Sequence, residues 1–298
     1  MRILVGTDGS AGAGTALALT AGLAWPAGTA FRIILGLDVA RIAGPWMIGG
    51  TSAAAEMEHA LRAQLEAVVA EEARRLAGPG RSVESAVIAG RPSSILCAEA
   101  AAFGADLVIV GSRGHGAIRT ALLGSVAAEL IDACPVPVLV SRRDHLRRIL
   151  LATDGSDPSR AAEEALVRIH PLDHLPVEIL SVVGSGETAA RELLPVGAAT
   201  AWAAREAAEQ EGRLHHEQIA RDAAERLSGD GRTVGWTVRA GDPARTIIEE
   251  ADARNADLIA IGSHGRTGLD RLVLGSVARS VLAHARSSVL VAPGRRPA

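Results

Sequence analysis

Glycine, serine and aspartate recur in this chain at spacings that suit anion binding. Gly262-Ser-His-Gly265, nine residues (266–274) and then Gly275-Ser276 lie between the apolar run Asp257-Leu-Ile-Ala-Ile261 and the helically spaced apolar residues of Val277-Ala-Arg-Ser-Val-Leu-Ala283. Strand, glycine-rich loop and helix N-terminus, in that order, let backbone N–H groups and the positive end of a helix dipole approach an anion, phosphate above all. Glycine is expected there for φ > 0 at the turn and for the lack of a Cβ that would hold a ligand off. Ser276 either caps the helix or offers its hydroxyl to a phosphate oxygen.

The pattern occurs twice. Gly111-Ser-Arg-Gly114, nine residues (115–123) and Gly124-Ser125 repeat it, and both copies follow an Ala-Asp-Leu strand start, Ala105-Asp106-Leu107 and Ala256-Asp257-Leu258. A second motif, Thr7-Asp8-Gly9-Ser10 at the end of a strand, returns as Thr153-Asp154-Gly155-Ser156. Asp8 and Asp154 either contact a ligand or cap the helix that follows; Ser125 carries the same ambiguity as Ser276. Arg113, Arg119, Arg266 and Arg271 either neutralise phosphate or sit in solvent.

Other chemistries are excluded by what is missing. The chain contains no lysine, so a P-loop with its phosphate-binding lysine is ruled out. No GxGxxG follows the first strand and no GxSxG elbow carries a nucleophilic serine. His215-His216-Glu217 lacks an HExxH and reads as a solvated helix face, while His170 and His174 are separated by Pro171 and read as loop residues. Cys97 and Cys134 fit no metal spacing and read as reduced packing residues. A net charge of −3 and 2% aromatics give neither a basic footprint nor a stacking platform for nucleic acid.

These residues must be positioned by the elements around them, and the chain supplies those elements in duplicate. Residues 2–10 match 148–156 at an offset of 146, and 89–141 match 240–292 without a gap at an offset of 151. Two domains follow, 1–143 and 146–298, with the polar linker Arg142-Arg143-Asp144-His145 at the boundary. In the first, strands are expected over Ile3–Gly6, Phe31–Val39, Ser82–Ile88, Leu107–Val110 and Val136–Ser141. Helices are expected over Ser10–Ala24, Ser52–Leu76, Pro92–Phe103 and Ser125–Ala133. The second repeats this order, with strands near Ile149 and over Val177–Val183, Thr233–Val238, Leu258–Ile261 and Ser288–Val291. The fold class is α/β: two tandem doubly wound domains, each a five-stranded parallel sheet with helices on both faces. Ligands bind such sheets at the carboxyl ends of the strands, so neighbouring first and fourth strands would aim Asp8 and the Gly111 loop into one crevice. The uncharged stretch 9–31 is too rich in glycine to read as a membrane span and is assigned to a buried helix of a cytoplasmic protein.

Gly-x2-Gly-x9-Gly-Ser after an Ala-Asp-Leu strand, with Thr-Asp-Gly-Ser ending the first strand, resembles the universal stress protein family in its ATP-binding, tandem-domain form. The resemblance covers essentially the whole chain. It implies that Gly111, Gly114, Gly124 and Ser125 wrap the phosphates of one ATP, and Gly262, Gly265, Gly275 and Ser276 those of another. It further implies that Asp8 and Asp154 reach ribose or a phosphate-bound Mg2+, and that Leu37 and Val182 line the adenine pockets. Asp38, close to where a polyphosphate would lie, should weaken the first site. The implied function is that of an ATP-binding regulatory stress-response protein, with a slow ATPase or a phosphoryl or nucleotidyl transferase as the alternative. An internal pseudo-dimer through the last strand of each domain and a homodimer of whole chains are implied as well, with no membrane or nucleic-acid partner.

Overall fold

The computed structural model describes residues 1–38, 52–114, 123–184, 198–229, 231–264 and 274–294. They fall into two compact units, Met1–His145 and Leu146–Ala298.

Unit 1 runs β1 (Arg2–Thr7), α1 (Ala11–Gly22), β2 (Thr29–Leu37), α2 (Ser52–Leu76), β3 (Arg81–Ala89), α3 (Pro92–Phe103), β4 (Leu107–Gly111), α4 (Ser125–Ala133) and β5 (Val138–Ser141). Its strands are parallel, in the order β3-β2-β1-β4-β5. The central strands are unbroken apolar runs because both of their faces are covered: Ile3, Leu4, Val5 and Leu107, Val108, Ile109 are all fully buried. α1 and α2 pack together and on the sheet, α1 over β4 and α2 over β3, while α3 and α4 pair and cover β2 and β5.

Unit 2 repeats this with β6 (Ile149–Ala152), α5 (Asp157–Arg168), a 3-10 turn (His170–Leu172), β7 (Val177–Gly184), α6 (Ala198–Leu227), β8 (Val234–Gly241), α7 (Pro243–Ala253), β9 (Leu258–Gly262), α8 (Ser276–His284) and β10 (Ser288–Ala292). Its order is β8-β7-β6-β9-β10, again parallel. α3 ends on Gly104 at φ 62°, and the same left-handed place after α7 is taken by Asn255 at φ 52°. Asparagine is one of the few side chains that tolerate that conformation. No described helix is long and apolar enough to cross a membrane.

Several boundaries differ from the sequence expectation for local reasons. α1 begins at Ala11 because Ser10 is extended and its hydroxyl accepts the N–H of Ala13 at 3.2 Å. β5 begins at Val138 because Pro137, which has no N–H to donate, offers only its carbonyl, to Val108. β8 runs past Val238 to Gly241, paired along its whole length with β7. His216 is also corrected: it is not solvated but 2% exposed, with Nδ1 2.8 Å from the Ser181 hydroxyl. That hydroxyl donates to the Thr153 carbonyl at 2.7 Å, so the His216 side chain packs behind the end of β6. Val39 lies outside the described residues.

Candidate functional site

In unit 1, β1 and β4 pair from Ile3–Leu107 to Gly6–Val110, which brings Asp8 and the Gly111 loop out at the carboxyl ends of adjacent strands. Gly9 turns the chain there at φ +74°, a conformation that costs glycine nothing, and its N–H donates to Thr7 Oγ1 at 3.1 Å. The turn lets Asp8 Oδ1 accept the N–H of Ser10 at 3.0 Å. Asp8 therefore does not cap α1; Ser10 does. The Asp8 carboxylate lies against the Cα of Gly114, in the space a Cβ would fill, and is exposed. The Ser10 hydroxyl also donates to the Arg113 carbonyl at 3.3 Å, tying the loop to the first turn of α1.

The loop glycines act by close approach rather than by left-handed φ. None of Gly111, Gly114, Gly124, Gly262 and Gly275 has a positive φ. A Cβ on Gly111 would meet the Ala13 nitrogen at 2.8 Å, so this glycine lets the first turn of α1 sit on the end of β4. Gly124 donates its N–H to the Ser112 carbonyl at 2.7 Å and is itself the N-cap of α4. Ser125 is the first helical residue, and no side-chain cap bond is made there. This decides against the capping role for Ser125, and the same holds for Ser276, since Gly275 caps α8.

Unit 2 builds the same frame. Gly155 turns at φ +76°, Asp154 Oδ1 accepts the N–H of Ser156 at 3.0 Å, and Ser156 caps α5 through Ser159. Gly262 lies against the Pro158 carbonyl, 2.6 Å from a notional Cβ, and Gly275 donates to the Ser263 carbonyl at 2.8 Å. Gly265 lies outside the described residues, as do Arg119, Arg266 and Arg271. Leu37 is 1% exposed at the end of β2, where its carbonyl accepts the N–H of Gly90. Strand register gives Leu37 the partner Ala89, and Val183 the equivalent partner Ala240, so Val182 stands one place before the true counterpart of Leu37. Both Val182 and Val183 are half-buried.

Two copies of one strand–loop–helix frame call for comparison with known proteins. The family model described as "Universal stress protein family" matches residues 1–142 and again 145–293. The chain belongs to the universal stress protein family. A universal stress protein of Mycobacterium tuberculosis is 33% identical over 199 residues, covering 63% of this chain and 62% of the relative. The match thus spans less than two thirds of that relative's length. One from Methanocaldococcus jannaschii is 32% identical over 157 residues, covering 49% of this chain and 81% of its own. In structure, a universal stress protein from Archaeoglobus fulgidus superposes with a TM-score of 0.67 at 20% identity, covering 99% of this chain and 98% of that one, which speaks for the fold.

Within this universal stress protein the two frames are supported differently from behind. In unit 1, Thr7 Oγ1 donates to Glu72 Oε1 of α2 at 3.0 Å. Glu72 is 7% exposed and its Oε2 has no hydrogen-bond partner. Burial pushes its pKa up, the Thr7 hydrogen bond pulls the other way, and the Asp8 charge adds a smaller upward push. In unit 2 the position of Glu72 holds Ala223, and the carboxylate comes from α5 instead. Glu163 Oε1 lies 3.1 Å from Thr153 Oγ1, and Arg226 pairs with Glu163 at 2.8 Å. Both halves thus place a carboxylate behind the threonine, taken from different helices of the repeat. Sequence reasoning missed Glu72 and Glu163 because each is one polar residue within a helix whose faces can be sorted only against the sheet. It missed Arg142 by placing it in the linker. Arg142 follows β5 directly, and burial together with the nearby Arg113 charge brings its pKa down to about 10.

Among the described residues no three His, Cys, Asp or Glu come together as a metal site.

Proposed function

We propose that this universal stress protein is a regulatory ATP-binding protein of the stress response, with one adenine-nucleotide site per unit, and that its nucleotide-bound conformation is what partners read. The observation that carries the reading is the cradle at the carboxyl ends of β1 and β4: an aspartate fixed by its own turn, pressed on a glycine with no room for a Cβ. Its frame recurs at β6 and β9. ATP fits this donor set. Loop N–H groups and the first turns of α4 and α8 face the phosphates, with the Ser125 and Ser276 hydroxyls at hand because neither is spent on capping. Asp8 and Asp154 orient ribose or hold Mg2+ through the phosphates, and Leu37 and the Val182–Val183 pair border the base. Whole chains are proposed to pair as homodimers.

Calorimetric titration with Mg-ATP is expected to give a stoichiometry near two. A value near one would leave a single working site, and no binding would remove the proposal. Steady-state turnover is expected to fall far below the ~1–10³ s⁻¹ of dedicated enzymes. A rate inside that range, lost in an Asp8→Ala, Asp154→Ala chain that still binds ATP, would establish an enzyme instead.

A further inference from the structure

Behind the first cradle, Glu72 uses only half of its carboxylate. It lies on α2, 7% exposed, and the Thr7 hydroxyl donates to its Oε1 at 3.0 Å. The same Thr7 oxygen accepts the N–H of Gly9 at 3.1 Å, at the left-handed turn (φ +74°) that presents Asp8. A threonine hydroxyl has one proton to give, and while Glu72 takes it the oxygen lone pairs are left for Gly9. Glu72, Thr7 and Gly9 thus form one chain of hydrogen bonds ending at the turn. The other carboxylate oxygen, Oε2, is buried and has no hydrogen-bond partner among the described residues.

The surroundings do little to offset a charge there. Of the elements packed on α2, α1 carries no ionisable side chain. On β2, Arg32 is paired with Glu84 and Glu99; on β3, Arg81 reaches the Leu23 carbonyl. Within α2, Glu71 holds both Arg74 and Arg75, and Arg75, which acts on Glu72 as well, is 73% exposed. Burial, the largest influence, and the Asp8 charge favour protonated Glu72, against the Thr7 hydrogen bond and Arg75. An anion brought to the cradle pushes in the same direction as Asp8. A protonated carboxyl still accepts through its carbonyl oxygen, so the turn survives the proton. In unit 2 the carboxylate behind the threonine, Glu163, is held by Arg226 at 2.8 Å, and its charge is met within the protein.

We propose that Glu72 is a positioning residue of the first site and links that site to pH: it holds the Thr7–Gly9 turn that presents Asp8, and the phosphates of a bound nucleotide draw a proton onto its carboxylate. The first site then binds more tightly in weak acid than at neutral pH. This rests on the nucleotide-binding reading above and adds regulation to that site.

The test is calorimetric titration of the full chain with Mg-ATP, in two buffers of different ionisation heat, at about pH 5 and about pH 7.5. Glu72→Gln keeps an acceptor for Thr7 and carries no charge, and comparison with it cancels the titration of ATP itself. Relative to Glu72→Gln, the wild-type chain should gain at least about threefold in affinity at one site as pH falls over that range, with more protons taken up on binding. Glu72→Leu removes the acceptor too. It should match Glu72→Gln in pH dependence but bind at least about threefold more weakly at that site. If Glu72→Leu does not fold, Thr7→Val, equal in size, takes its place and should bind more weakly than the wild type. Equal pH profiles in wild type and Glu72→Gln, or a difference of opposite sign, overturn the proton link. Undiminished binding in Glu72→Leu or Thr7→Val overturns the positioning role. Each of these results leaves nucleotide binding standing, whereas failure of Mg-ATP to bind the wild-type chain at either pH overturns both.

Discussion

Two glycines three residues apart in one loop do different work. Gly111 touches backbone, which cannot move aside, whereas Gly114 touches the end of the Asp8 side chain, which can. Gly111→Ala is therefore expected to lower stability by ~1–3 kcal/mol, the usual cost of overpacking, read as a fall in Tm. Gly114→Ala should leave Tm nearly unchanged but displace Asp8 and weaken Mg-ATP binding at one site, by roughly a hundredfold if ~3 kcal/mol is lost. Glu72 yields a pH prediction at the same scale. Its folded pKa is raised above the ordinary 4.5, so the folded chain holds this proton longer than the unfolded chain does. Stability is then full below the unfolded pKa and declines as pH rises through the folded one. Glu72→Gln keeps an acceptor for Thr7 without the charge. It should remove that decline and raise neutral-pH stability by about 1 kcal/mol in thermal melts, consistent with relief of a buried unsatisfied carboxylate.

At the scale of elements, the repeated helices α2 and α6 have exchanged electrostatic duties. Arg75 and Arg226 occupy the same repeat position. Arg75 is 73% exposed on an exposed Glu71, whereas Arg226 holds Glu163, whose side chain is 4% exposed. Arg75→Met should shift stability by no more than ~0.5 kcal/mol, as for most surface pairs. Arg226→Met strands a buried carboxylate and should cost ~2–3 kcal/mol, somewhat less than a fully buried pair because Arg226 is itself 46% exposed. Adding Glu163→Leu to Arg226→Met should recover part of the loss. Chemical denaturation of the four chains checks both statements.

For the molecule as a whole, two units of one fold meet different demands. Their sheets share an order and a crossover pattern, yet unit 1 carries Arg113, Arg142, Glu72 and Asp38 where unit 2 carries His264, Pro293, Ala223 and Gly184. Duplication supplies two frames at once, and later substitution in one frame need not disturb the other. Light scattering at micromolar concentration is expected to report a homodimer. A monomer alone would remove that part of the proposal and leave the nucleotide sites unaffected.

By itself the sequence determined the α/β class, the doubling of the chain and the place of both glycine loops, because these rest on local signals. Apolar runs with both faces buried mark strands, proline at the first turn marks a helix start, and a repeated spacing marks a repeated loop. Helix α4 is expected over Ser125–Ala133 and is found there, and helix α2 is expected from about Ser52 to Leu76. Only the tertiary structure decided what each loop glycine touches, that Gly124 and Gly275 rather than the serines cap their helices, and that His216 is buried. It alone brought Thr7 to Glu72 across 65 residues and Thr153 to Glu163 on a different helix. Those facts depend on how strands pair and helices cross, and a side chain's neighbours across a sheet leave no periodic trace in the chain that carries it.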